Sequence, residues 1–206
     1  EKMRATGIAR LIVLFSLALW LLSAAATRAD AQPAATAAPF LKALIWVYNN
    51  WSAYDELSDH VKLTEALAMR ELDEILRLRK SGVRIDYYVM DAFWYDPDGG
   101  YRRWRAADWP QGPDRWLAAL KANGIKPGLW FSANTLTHMK PAPAWRPSLD
   151  AAGDSMSLTS GGFLADFMDV LDYWYGRGFR LFKFDMANFD AVARADQGKL
   201  SPQQAR

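Results

Sequence analysis

The chain has no cysteine. That absence removes disulfides, thiolate nucleophiles and cysteine-ligated zinc together. Histidine is nearly absent too, with His60 and His138 far apart and without a ligand-spaced partner, and no glycine-rich strand-to-helix loop of the phosphate-binding kind occurs. Metal, nucleotide and other cofactors are therefore not expected. A formal net charge of +2 is too small to imply a nucleic-acid partner, and beyond the N-terminal segment the only compact basic cluster is "YRRWR", Tyr101 to Arg105, which reads as a solvated loop. The longest apolar run, Leu11 to Ala26, falls short of the roughly 20 residues that span a bilayer.

That run follows Lys2, Arg4 and Arg10 and precedes "ADA", Ala29 to Ala31, the small-x-small pattern of a signal-peptidase site. The reading is a signal peptide over residues 1–31, with Met3 as the biological start. Export to the periplasm or the exterior follows, without stable membrane association after cleavage. An Ala/Pro-rich linker occupies residues 32–39, and a globular unit begins near Phe40 and fills residues 40–206.

Within that unit apolar runs alternate with amphipathic segments. "ALIWVY", Ala43 to Tyr48, reads as a buried strand, and "IDYYVMD", Ile85 to Asp91, and "IKPGLWFS", Ile125 to Ser132, as further strands. Between the first two, Thr64 as N-cap, apolar Ala68, Leu72, Ile75 and Leu76, basic Arg77, Arg79 and Lys80, and Gly82 as terminator define a helix. A second helix runs from Pro113 to Asn123 with Trp116, Leu117 and Leu120 on one face and Gly124 beyond its end. The third, Phe163 to Tyr175, places Leu164, Phe167, Met168 and Leu171 at helical spacing. The fourth strand lies in "GFRLFKFDMANFD", Gly178 to Asp190.

This β/α series implies an α/β fold with parallel strands and helices outside. Either a complete doubly wound domain or the N-terminal half of a (β/α)8 TIM barrel, four strands and three helices, satisfies it. Long loops after strands two and three, crowded with Trp, Tyr, Gly and Pro, favour the barrel, and with it the expectation that the chain is an N-terminal fragment.

The fourth strand also raises a chemical question, because "LFKF" finishes on Lys183 and Asp185, and an ion without a partner is costly to bury. Parallel pairing would bring these residues to the same end of the sheet as Asn49, Asn50 and Trp51, Asp91, Phe93 and Trp94, and Ser132 and Asn134. Carboxylates, amides and indoles at one rim suit sugars, whose hydroxyls take polar partners and whose C–H faces lie on rings.

Four segments carry a family resemblance: "YNNWS" after strand one for a W-N-[ST]-W-like sequence, "VMDAFW" for L-D-D-G-W, "PGLWFSANT" for G-L-W-x-x-P/x, and "KFD" for K-[WF]-D. In that order they resemble the clan of retaining α-galactosidases, glycoside hydrolase families 27 and 36, from about Ala43 to Asn188. The resemblance implies that Asp185 is the nucleophile, that Lys183 and Asp91 are ligands to substrate hydroxyls, and that Trp51 and Trp94 are ring-stacking or pocket residues. Asn134 joins the substrate-binding set, and the implied partner is a carbohydrate. A lysine two residues before Asp185 shares its strand face and would favour its ionised form. The chain departs from the pattern at Ala92, where the clan has a second aspartate, and at Ala187. A retaining mechanism also needs a second carboxyl about 5–5.5 Å from the first. In the resembled clan that group comes from a strand beyond the fourth. The alternatives are a family 31-like α-glucosidase, which "DMAN", Asp185 to Asn188, partly echoes, and a sugar-binding protein without turnover.

Overall fold

A computed structural model describes residues 44–51 and 62–205. The expected signal peptide, the linker, the start near Phe40 and His60 lie outside the described residues. The strands are β1 (Val47–Asn49), β2 (Tyr87–Met90), β3 (Lys126–Ser132) and β4 (Leu181–Asp185), separated by α1 (Glu65–Lys80), α2 (Asp114–Ala122) and α3 (Phe163–Gly176). They form one sheet in the order β1-β2-β3-β4, and every neighbouring pair is parallel. A doubly wound domain needs a switch point at which strand order reverses; this order never reverses. The sheet is the curled half of a (β/α) barrel, and the doubly wound alternative is set aside.

The helix boundaries follow from local chemistry. Thr64 Oγ1 accepts the Leu67 N–H at 3.2 Å at the start of α1, Arg77, Arg79 and Lys80 oppose the dipole at its end, and Gly82 takes φ +92° just beyond. Gly124, at φ +66°, follows the α2 cap residue Asn123 in the same way.

The first strand and the third helix differ from expectation. Only Val47 and Tyr48 of the first apolar run join the ladder, together with Asn49, and Leu44, Ile45, Trp46 and Val47 are exposed rather than buried. Among the described residues β1 is an edge, so a run with the composition of a core strand has a neighbour on one side only. In α3 the buried stripe is Phe163, Phe167, Val170, Leu171 and Trp174, while Leu164 and Met168 face outward. Both stripes are apolar at helical spacing, and the one holding the larger rings is buried.

Alternation sorts the strands into two faces. Tyr88 stands edge-on to Trp116 of α2 at 5.1 Å, and Phe131 and Phe184 meet Phe167 of α3 at 5.6 and 6.0 Å, so this face carries the helices. Asn49, Val89, Gly128, Trp130, Lys183 and Asp185 fall on the other, inner face by register. Gly128 is required there: a Cβ would come within 2.8 Å of Val89 Cγ2 and 3.0 Å of the Leu181 carbonyl oxygen.

The loop after β2 builds an aromatic core. Trp94 sits among Trp104, Trp174, Tyr101 and Phe131 at centroid distances of 5.0, 5.4, 6.1 and 5.7 Å. The cluster "YRRWR" is thus only partly a solvated loop, since Tyr101 and Trp104 are buried and Arg102 forms a two-pronged bridge to Asp166 of α3 at 2.8 and 3.0 Å.

Candidate active site

At the C-terminal end of the inner face, Asp91 follows β2 and is buried. Its Oδ2 accepts bonds from Asn49 Nδ2 of β1 and Lys183 Nζ of β4, both at 2.7 Å, and its Oδ1 accepts the Ala92 N–H at 2.8 Å. The Asp91 N–H donates in turn to Asn50 Oδ1 at 2.7 Å. One carboxylate therefore ties three strand ends together, and the lysine that reaches it keeps 36% of its side chain exposed against 2% for Asp91.

Asp185 stands two residues beyond Lys183 and is exposed, with Oδ1 accepting the Met186 N–H at 2.8 Å and Oδ2 facing Trp130 Nε1 at 3.4 Å. Lys183 and Asp185 do share a strand face, but the ion-pair partner of Lys183 is Asp91. The lysine charge is engaged across the sheet instead of along the strand.

Trp51, Asp91, Phe93, Trp130, His138, Lys183, Asp185 and Met186 line a cleft of about 380 Å³, with Ala92 and Thr137 completing it. Its backbone is unusual. Of four non-glycine residues with positive φ among the described residues, three line this cleft: Phe93 at +71°, His138 at +51° and Met186 at +52°. Such strain persists only where surrounding structure enforces it, and it concentrates at functional sites.

The segment after Asp185 is stitched to the segment after β3. Ala133 N–H donates to the Asp185 carbonyl at 2.6 Å and Ser132 Oγ to the Met186 carbonyl at 3.3 Å. The Asn134 side chain donates to the carbonyls of Asn188 and Met156 and accepts the Asn188 N–H, each at 2.7 Å.

Of the residues expected from sequence, Asp185, Lys183, Asp91 and Trp51 meet in the cleft. Trp94 and Asn134 do not. Trp94 is wholly buried, with its indole N–H donated to the Trp130 carbonyl at 2.8 Å, so it is a core ring and not a pocket wall. Asn134 is wholly buried and its amide is occupied by backbone groups, which makes it a loop fastener and not a substrate ligand. Trp130, Thr137, His138 and Met186 were not anticipated. Alternation along β3 carries a signal for Trp130, which lies two residues before Ser132; nothing in the sequence marks the left-handed backbone at His138 and Met186. A second groove, of about 470 Å³, lies near the opposite ends of the strands and is lined by Leu117, Lys121, Lys126, Arg177 and Arg180 among others, with no carboxylate. It offers no nucleophile.

No protein-family model and no curated protein matches the chain. Solved structures do. An α-galactosidase from Thermus thermophilus in complex with p-nitrophenyl α-D-galactopyranoside aligns with TM-score 0.53 at 18% identity over 68% of this chain and 30% of its own. An α-galactosidase from Lactobacillus brevis aligns with TM-score 0.54 at 16% identity over 79% of this chain and 23% of its own. A GH36 α-galactosidase from Geobacillus stearothermophilus, doubly substituted and bound to stachyose, aligns with TM-score 0.53 at 15% identity over 81% and 24%.

The shared feature is the fold. This chain is similar to the α-galactosidases in its barrel half and spans under a third of the length of those three structures. The likeness extends to the barrel fold and no further.

Proposed function

We propose that this chain carries the nucleophile half of a retaining, α-galactosidase-like glycosidase site, acting on an α-galactoside or a closely related α-glycoside. The observation that carries the reading is the placement of Asp185, exposed in the cleft beside a lysine that is itself tied to a buried aspartate. Asp185 attacks the anomeric carbon, forming a glycosyl ester as the bond to the leaving oxygen breaks, and water later cleaves the ester. The exposed part of Lys183 offers donors to a substrate hydroxyl, and Asp91 holds that ammonium in place. Trp51, half-buried, supplies a ring face to the sugar, while the buried Trp130 points its indole N–H towards Asp185.

The second carboxyl of such a mechanism protonates the leaving oxygen. Asp91 does not suit that role, because both its oxygens already accept bonds from Asn49, Lys183 and Ala92. The basic and apolar N-terminus with its "ADA" site supports export.

The test is covalent trapping. An activated fluorinated α-galactosyl donor, whose leaving group needs no proton, is incubated with the protein and the labelled peptide is mapped. Label on Asp185, lost in Asp185→Asn with the fold retained, is the expected result. Label on another residue, or none with a folded protein, overturns the assignment and leaves the binding-protein alternative.

A further inference from the structure

The cleft has two chemically different walls. Asp91, Lys183 and Asp185 form the charged one. Opposite in character is a row of rings drawn from three separate loops: Trp51 lies 6.1 Å from Phe93 at a 40° tilt, and Phe93 lies 5.0 Å from His138 in an edge-on contact. Ala92, beside Phe93, adds a methyl group and no polar atom to this wall.

Phe93 is the informative member. At φ +71° it occupies backbone space that glycine takes freely and a bulky residue avoids, and the L-D-D-G-W pattern has glycine at this register. Core packing accounts for only part of the ring, since Phe93 leans against the core but stays half-buried while its neighbour Trp94 fills it. Local preference does not account for the rest. What the strain achieves is to present a phenyl face in the cleft beside the His138 ring, which is exposed and also held at positive φ. The cleft volume of about 380 Å³ lies within the roughly 300–1,000 Å³ of pockets that enclose ligands larger than one six-membered ring.

Building on the glycosidase reading, we propose that Phe93 and His138 form a second subsite for the group on the far side of the scissile oxygen, and that this group is a six-membered ring with an apolar face, the next sugar of an oligosaccharide or an aryl aglycone. The charged wall and Trp51 hold the first ring at Asp185, and Phe93 and His138 stack against the second. Phe93 is then a specificity residue that selects ring-bearing glycosides over alkyl ones.

The test compares phenyl 1-thio-α-D-galactopyranoside with methyl 1-thio-α-D-galactopyranoside, both resistant to hydrolysis, by titration calorimetry. Wild-type protein should bind the phenyl compound roughly three- to tenfold more tightly, the value of one or two ring contacts. Phe93→Gly and Phe93→Ala should both lose that preference, with affinity for the methyl compound within twofold of wild type, and His138→Ala should lose part of it. Both Phe93 variants remove the same ring, yet the glycine variant should melt about 2–4 °C above the alanine variant, because only glycine relieves the left-handed backbone. A preference that survives in both Phe93 variants overturns the subsite, as does an equal loss for the two compounds. If wild-type protein binds neither compound, the galactoside reading itself falls, and the subsite with it.

Discussion

Replacing Lys183 by methionine keeps the aliphatic length and removes the cation that Asp91 accepts. The Asp91 side chain is 2% exposed, so water cannot stand in for the ammonium. Breaking a fully buried pair costs about 3–5 kcal/mol. Two features reduce that figure here. The lysine side chain is 36% exposed, so part of the pair's attraction is already screened, and the carboxylate retains its bonds from Asn49 and the Ala92 N–H. The expected loss is about 2–3 kcal/mol. For a chain of this size that corresponds to a fall in Tm of roughly 5–10 °C. The assay is thermal unfolding at pH 7 followed by near-ultraviolet circular dichroism, with Asp91→Asn and the double variant completing a cycle. Removing both charges leaves no stranded ion, so the double variant should be more stable than the sum of the single losses by about 1.5 kcal/mol or more. Additive losses, or a Lys183→Met variant melting within 1 °C of wild type by the same ~1 kcal/mol-per-few-degrees scale, would show that the three strand ends are not joined through this pair.

Two further outcomes follow from the packing. Gly128→Ala should cost about 1–3 kcal/mol, because its methyl would press on Val89 Cγ2 at 2.8 Å, and a second change, Val89→Ala, should recover part of the loss; equal melting of Gly128→Ala and wild type would refute the contact. Burial raises the Glu71 carboxyl of α1 above its ordinary 4.5, opposed in part by hydrogen bonds from Tyr88 and by Tyr48 and Asn50. Its favourable contribution is complete below pH 4.5 and is lost as pH rises through the folded-state value, so Glu71→Gln should gain in Tm relative to wild type as pH increases from 4 towards 8. A difference that stays constant over that range would contradict the shift.

The element order was legible because its signals are local and redundant. Thr64, the basic last turn and Gly82 each mark the same helix, and the β3 run reads as a strand whatever lies beside it. What escaped reading depends on contacts outside the local window. Leu44 to Trp46 have the composition of a buried strand, and only strand order reveals that they sit at an edge. The α3 helix is apolar on two adjoining stripes, and choosing between them requires the neighbouring strands. Trp94 was expected in the pocket from the likeness of VMDAFW to L-D-D-G-W, whereas the chain turns through left-handed Phe93 and directs the next indole into the core. The pairing of Lys183 with Asp91 joins residues on β4 and beyond β2 that no sequence spacing connects. That Asp185, Lys183 and Asp91 would share one rim was still legible, and they do line one cleft, because polar groups that end apolar strands stand out in any parallel sheet.

The clustering of Trp94, Trp104, Trp109, Trp116 and Trp174 has an optical consequence. Adjacent indoles in this group lie 4.5 to 6.4 Å apart, close enough for their excited states to couple and for absorbed energy to pass between them. The near-ultraviolet dichroism of the protein therefore reports the array as a whole, and loosening any one ring alters the signal of all. Intact coupling is the signature of native packing, while secondary structure without it marks a loosened state. Every substitution in the cleft thus carries an internal standard, which separates a lost ligand contact from a disordered interior in the same cuvette.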